Sequence, residues 1–380
     1  MRPQPHFASF FMGGFECSTH RRHDGRLDLL KSTGHDGMAA ADFRQLQSLG
    51  IRTVRSGLRW HRIETEPGRY DFSSDLPMIR AAQETGTQVI WDLFHYGWPD
   101  FLDLFSPLFV EHFRSFAGAA ARLLRSYTSG PLYLSPVNEV SFFAYAAGDK
   151  RFFYPFEAGR GHEVKDQLVR AALAATEAVR EAAPGVRIVH PEPVIHLAAD
   201  PANPVLVAEA ATYEGAQYEA WDMLAGRIRP ELGGREDSLD ILGINFYPHN
   251  QWLHFGYDQE GRPLRPEDPL YRPFREMLAE VYARYRRPLF VSETGAEGDE
   301  RPGWLAYVMA EVRAALEAGI PVQGVCLYPV TDYPAWDDDR HCPTGLLSHP
   351  KPGGSREVYG PLAEELRRQQ RLLADLEVRV

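Results

Sequence analysis

Eight short apolar runs, spaced along the whole chain and separated by longer segments, constrain this sequence more than any other feature. They are FASFFMGGFE, TVRSGLRW, QVIWDLFH, PLYLSPVNE, VRIVHPEPVIH, LDILGINFYP, RPLFVSETG and VQGVCLYPV. Each is rich in β-branched and aromatic residues and short enough to be a parallel strand buried on both faces. The intervening segments carry the helical period. GWLAYVMAEVRAALEAG puts Leu305, Val308, Met309, Val312 and Leu316 on one stripe and stops at Gly319. SPLFVEHFRSFAGAAARLLRSY does the same with Phe109, Phe113, Phe116 and Leu124. DQLVRAALAATEAVREAAPG is a third helix, ended by Pro184 and Gly185. Eight strand–helix units predict an α/β fold, a single (β/α)₈ TIM barrel spanning 1–380. A doubly wound open sheet ordinarily carries a glycine-rich phosphate turn after an early strand, and the sequence has none.

The barrel needs a large core, and the composition supplies it: of 380 residues, 44% are hydrophobic and 12% aromatic. A net charge of -11 excludes a nucleic-acid partner, which would need concentrated positive surface. Cys17, Cys326 and Cys342 are odd in number and form no metal-ligand spacing. The opening MRPQPHFASFF lacks a secretory pattern, and no apolar run reaches membrane-spanning length. The expectation is a soluble, cytoplasmic protein without a membrane partner.

A barrel gathers catalytic groups at the C-terminal ends of its strands. Polar residues collect there: Glu16, Arg55, Arg59, His95, Asn138, Glu139, Glu192, His196, Asn245, Tyr247, Glu293 and Tyr328 to Asp332. Glu139 ends the fourth run and Glu293 the seventh, nearly across the mouth from each other. One glutamate at a strand end is ordinarily a paired structural group. Two that face each other over a cleft are the equipment for cleaving a glycosidic bond, one protonating the departing oxygen while the other attacks or activates water.

Several motifs strengthen that reading. VRSGLRWHRI, LFHYGWPDFL, VNEV, GINFYP, SETG and TDYPAW resemble, in order, the strand-end motifs of the retaining β-glycosidases of glycoside hydrolase family 1. The resemblance runs almost end to end. It implies Glu139 as general acid/base and Glu293 as nucleophile, with Arg55 and Tyr247 holding the nucleophile ionised and oriented. It implies substrate contacts from Asn138, His95, His20, Asn245, Tyr328 and Trp336, a carbohydrate partner, and neither cofactor nor metal. Phe142, Phe143 and Tyr145 are the apolar neighbours expected to keep Glu139 protonated.

The departures from the family fall on sugar recognition. Val140 replaces the proline after the acid/base, and STHRRH, with His20, stands where the family offers a hydroxyl-binding glutamine. Ala335 replaces a glutamate that grips the terminal ring, and Tyr328 replaces a tryptophan. Asp337 to His341 reads as a solvated acidic loop. The basic stretch His20 to His23 reads as a surface loop and is also the place to look for an acidic sugar, and one or two of Trp60, Trp91, Trp98 and Trp252 are candidates for stacking on a sugar face. An endo-acting glycanase or transglycosidase of the same clan, and a catalytically idle carbohydrate-binding barrel, are the alternative readings.

Overall fold

All eight runs form strands, and they close on themselves. The structure, a computed structural model, describes residues 6–257, 259–351 and 353–379. The barrel strands are β1 (Phe11–Gly14), β2 (Thr53–Gly57), β3 (Gln88–Asp92), β4 (Tyr133–Ser135), β5 (Arg187–Pro193), β6 (Ile241–Asn245), β7 (Leu289–Thr294) and β8 (Val322–Leu327). Each pairs in parallel with its sequence neighbours, and β1 closes the ring by pairing with β8 (Phe11 beside Val325) and β2 (Met12 beside Thr53).

Helices return the chain between strands: α1 (His35–Ser48), α2 (Leu76–Thr85), α3 (Pro107–Tyr127), α4 (Gly161–Ala182), α5 (Pro204–Gly215), α6 (Glu219–Leu224), α7 (Phe274–Tyr285), α8 (Arg301–Glu317) and α9 (Gly360–Arg379). The local chemistry explains their bounds. Ser106 caps α3, its hydroxyl accepting from the Leu108 amide at 3.2 Å, with Pro107 pre-set for the first turn. The α3 stripe Phe109, Phe113 and Phe116 packs on Trp60 at ring distances of 5.0–5.5 Å. On α8 the stripe Leu305, Val308, Met309 and Val312 is buried as the period requires, while Leu316 is half-buried. Among the described residues no helix is long and apolar enough to cross a membrane.

Two cores result. The larger lies between strands and helices; the smaller fills the barrel, with Phe7 closing the bottom against Tyr133 (5.2 Å) and Phe290 (4.9 Å). Strand periodicity then carries polar groups to the rim. Ile90, Phe290 and Cys326 point inward, and two residues on, the same faces bear Asp92, Ser292 and Tyr328. Gly14 is small for a reason: a Cβ there would lie 2.0 Å from the Tyr328 ring, which crosses the mouth above it.

Glu293 needs more than periodicity. Simple alternation from inward Phe290 would turn Glu293 toward the helices. Against β6, Val291 pairs with Ile244 but Glu293 pairs with Asn245, so two residues of β7 span one of β6. This bulge returns Glu293 to the inner face.

Candidate active site

Arg55 organises the rim. Its side chain is 1% exposed and enters the barrel from β2. Nη1 donates to Glu293 Oε1 at 2.7 Å, while Nε and Nη2 donate to the two oxygens of Asp92 at 3.2 and 2.7 Å. Nη2 also donates to Asn138 Oδ1 at 2.7 Å. A buried guanidinium is tolerable here because carboxylates meet it on two sides and its donors are satisfied. The Tyr247 hydroxyl donates to the other oxygen of Glu293 at 2.8 Å. Glu293 is thus gripped at both oxygens, by a cation and by a phenol.

Glu139 sits in a different environment. β4 ends at Ser135, and Glu139 itself takes a left-handed conformation (φ 46°) just before the short helix Val140–Phe143. Its amide donates to the Pro191 carbonyl at 3.0 Å. The left-handed turn, costly for a non-glycine residue, places the carboxyl at the cavity. Oε1 accepts from Asn245 Nδ2 at 2.8 Å and Oε2 from the Tyr96 hydroxyl at 2.6 Å. Burial and then the charge of Glu293 push the Glu139 carboxyl well above the ordinary carboxylate range, outweighing those two donors. Two glutamates in one pocket therefore differ in what holds them.

One cavity of about 940 Å³ is lined by Glu139 and Glu293 together. Asn138, His95, Tyr328 and Trp336 line it as well, and its outer part reaches Lys165, Tyr213 and Trp252. Asn138 is fixed between Arg55 and the Tyr96 hydroxyl, which receives its Nδ2 at 3.0 Å. Tyr328 lies parallel to the His95 ring at 6.2 Å. Trp336 offers an indole N–H with no partner among the described residues.

His95 is held from below. Its Nδ1 lies 2.9 Å from Asp92 Oδ2 and 3.2 Å from Cys17 Sγ. Burial opposes its charge, yet Cys17, Asp92 and Glu16 hold it well above the usual histidine range. The thiol, carboxylate and imidazole lie within 4.8 Å of one another, the spacing of a three-ligand metal site. Asp92 is committed to Arg55, however, so the trio reads as a hydrogen-bonded support for His95.

Other expected contacts fall elsewhere. Asn245 does not line the cavity; it is fully buried, donates to Glu139 and accepts from Ser292 Oγ at 2.5 Å. His20 is likewise withdrawn, packed against Phe153 (4.1 Å) and Trp336 (5.2 Å), where burial lowers its pKa to about 3. Neither lines the cavity; each backs a residue that does, Trp336 for His20 and Glu139 for Asn245. The basic stretch is neutralised, with Arg21 paired to Asp100 and Arg22 to Asp24 and Asp339, so it presents no acidic-sugar site. Arg59 is bound to Asp28, Asp36 and Asp75, and His196 to Glu214. Trp60, Trp91 and Trp98 are core, leaving Trp252 at the cavity. Sequence reasoning passed over Tyr96 as the donor to Glu139 and Asp92 as the second anchor of Arg55. Asp92 could have been found, since it ends β3 in the inward register of Ile90.

Neither a family model nor a curated protein sequence matches the chain. Solved structures do. A family 1 β-glucosidase from Thermotoga maritima superposes with a TM-score of 0.75 at 15% identity, covering 89% of this chain and 86% of that one. A hyperthermophilic β-glucosidase mutant that forms a dodecamer in the crystal gives 0.76 at 14%, covering 96% and 100%. The Thermotoga maritima β-glucosidase in complex with deoxynojirimycin gives 0.72 at 15%, covering 89% and 87%. By architecture, strand order and near-complete overlap, this chain has the (β/α)₈ barrel fold of the family 1 β-glucosidases.

Proposed function

We propose that the protein is a retaining β-glycosidase that hydrolyses a β-glycoside by double displacement. The observation that carries this reading is the unequal pair. Glu293 is held at both oxygens by Arg55 and Tyr247, Glu139 is buried with a raised pKa, and both face one cavity. In the first step Glu293 attacks the anomeric carbon, the bond to the leaving oxygen breaks, and Glu139 delivers its proton to that oxygen. In the second, Glu139 takes a proton from water, the water oxygen bonds to the anomeric carbon, and Glu293 departs. Asn138, His95, Tyr328 and Trp336 bind the glycone, while His20 and Asn245 position Trp336 and Glu139. The outer part of the cavity has room for the leaving group. The unpaired, buried cysteines support a reducing compartment.

The pH profile tests this. Glu139 must be protonated in the first step, so kcat/KM for an aryl β-glycoside should fall as pH rises through its elevated pKa. The Tyr96 hydroxyl stabilises ionised Glu139, so Tyr96→Phe raises that pKa further. The alkaline limb should therefore move to higher pH, by about one pH unit for one hydrogen bond to a charged group. Absence of turnover on every aryl β-glycoside tried, or a limb moved to lower pH, would contradict the reading.

A further inference from the structure

Glu16 is a buried carboxylate on the cavity that the mechanism above leaves unused. Glu16 lies two residues past β1, in the register of Met12 and Gly14, and its side chain lines the cavity although the residue is only 4% exposed. Oε1 accepts from the Ser18 amide at 3.0 Å and the Ser18 hydroxyl at 2.5 Å. Oε2 has no protein donor among the described residues. Burial raises the Glu16 pKa, with His95 the chief compensating charge. Yet the two do not hydrogen-bond: His95 Nε2 lies 3.9 Å from Glu16 Oε1. Nor does Glu16 support the catalytic pair, since Arg55 is bonded to Asp92 and Glu293 and Tyr247 to Glu293. Oε2 is open to the cavity, where a ligand can complete its hydrogen bonding.

Resting on the glycosidase reading, we infer that Glu16 determines glycone specificity by accepting a hydrogen bond from one sugar hydroxyl. Its side chain lines the cavity beside Glu293 and His95. His95 cannot occupy its free oxygen, because Nε2 lies 3.9 Å from Oε1 and faces the Asn138 amide nitrogen at 3.3 Å. The substrate class is a glycone that carries a free hydroxyl at the position Glu16 meets.

The test compares wild type, Glu16→Gln and Glu16→Ala on an aryl β-glycoside that wild type hydrolyses and on each of its monodeoxy counterparts. Glu16→Ala should lower kcat/KM for the parent by about 10- to 100-fold. That loss should shrink to within about twofold on one monodeoxy substrate and persist on the others. Glu16→Gln, which keeps the side-chain volume, should show the same substrate-specific pattern with a smaller loss. A loss equal on all substrates, or no loss, would overturn this inference while leaving the glycosidase reading standing. Wild type inactive on every aryl β-glycoside would overturn both.

Discussion

Replacing Glu293 with alanine is expected to reduce turnover of aryl β-glycosides by at least about 10⁴-fold, because among the described residues no other carboxylate is gripped by both Arg55 and Tyr247. The fold should survive, since Arg55 keeps its bonds to Asp92 and Asn138. What remains is a space beside a guanidinium and a phenol O–H, suited to a small anion. Azide added to Glu293→Ala should occupy it, attack the anomeric carbon from the nucleophile's side, and restore turnover with an α-glycosyl azide as product. Near-normal turnover by the variant without azide would remove Glu293 from the reaction.

Glu139→Ala should behave differently. A general acid matters in proportion to how poor the leaving group is. Glycosides with an alkyl or sugar leaving group should lose about 10²- to 10⁴-fold, and dinitrophenyl glycosides, which depart unprotonated, should lose far less in the first step. The alkaline limb should vanish with the group that produces it. Azide should now trap the glycosyl-enzyme from the face Glu139 vacates, giving a β-glycosyl azide. Opposite azide anomers from the two variants would follow from carboxylates on opposite faces of the sugar. A loss independent of leaving group would show that Glu139 acts in some other way.

The barrel was legible because its signal is repeated: each apolar run became a strand, and the α3 and α8 stripes are buried as their periods require. The site was legible only in part. Arg55 and Glu293 are 238 positions apart, a link that no periodicity carries and that only motif resemblance suggested. Alternation along β7 would have turned Glu293 outward, and the bulge that corrects it leaves no mark in FVSETG. Tyr96 reaches Glu139 from a left-handed backbone (φ 71°), which a sequence of ordinary residues does not advertise. The pairing of the basic stretch after β1 was hidden as well, because its partners Asp100 and Asp339 come from distant loops. Asn245 was recognised as important by its motif, but its side chain bonds Glu139 and does not line the cavity.

The covalent intermediate offers the most direct test. In a 2-deoxy-2-fluoro β-glycoside with a dinitrophenyl leaving group the fluorine slows both steps and the good leaving group restores only the first, so the glycosyl-enzyme should accumulate and be visible as a mass increase of one fluoroglycosyl unit per chain. Proteolysis and peptide sequencing should place that unit on Glu293. Attachment to Glu139, Glu16 or any other residue, or hydrolysis of ordinary substrates with inversion and no adduct, would contradict the assignment.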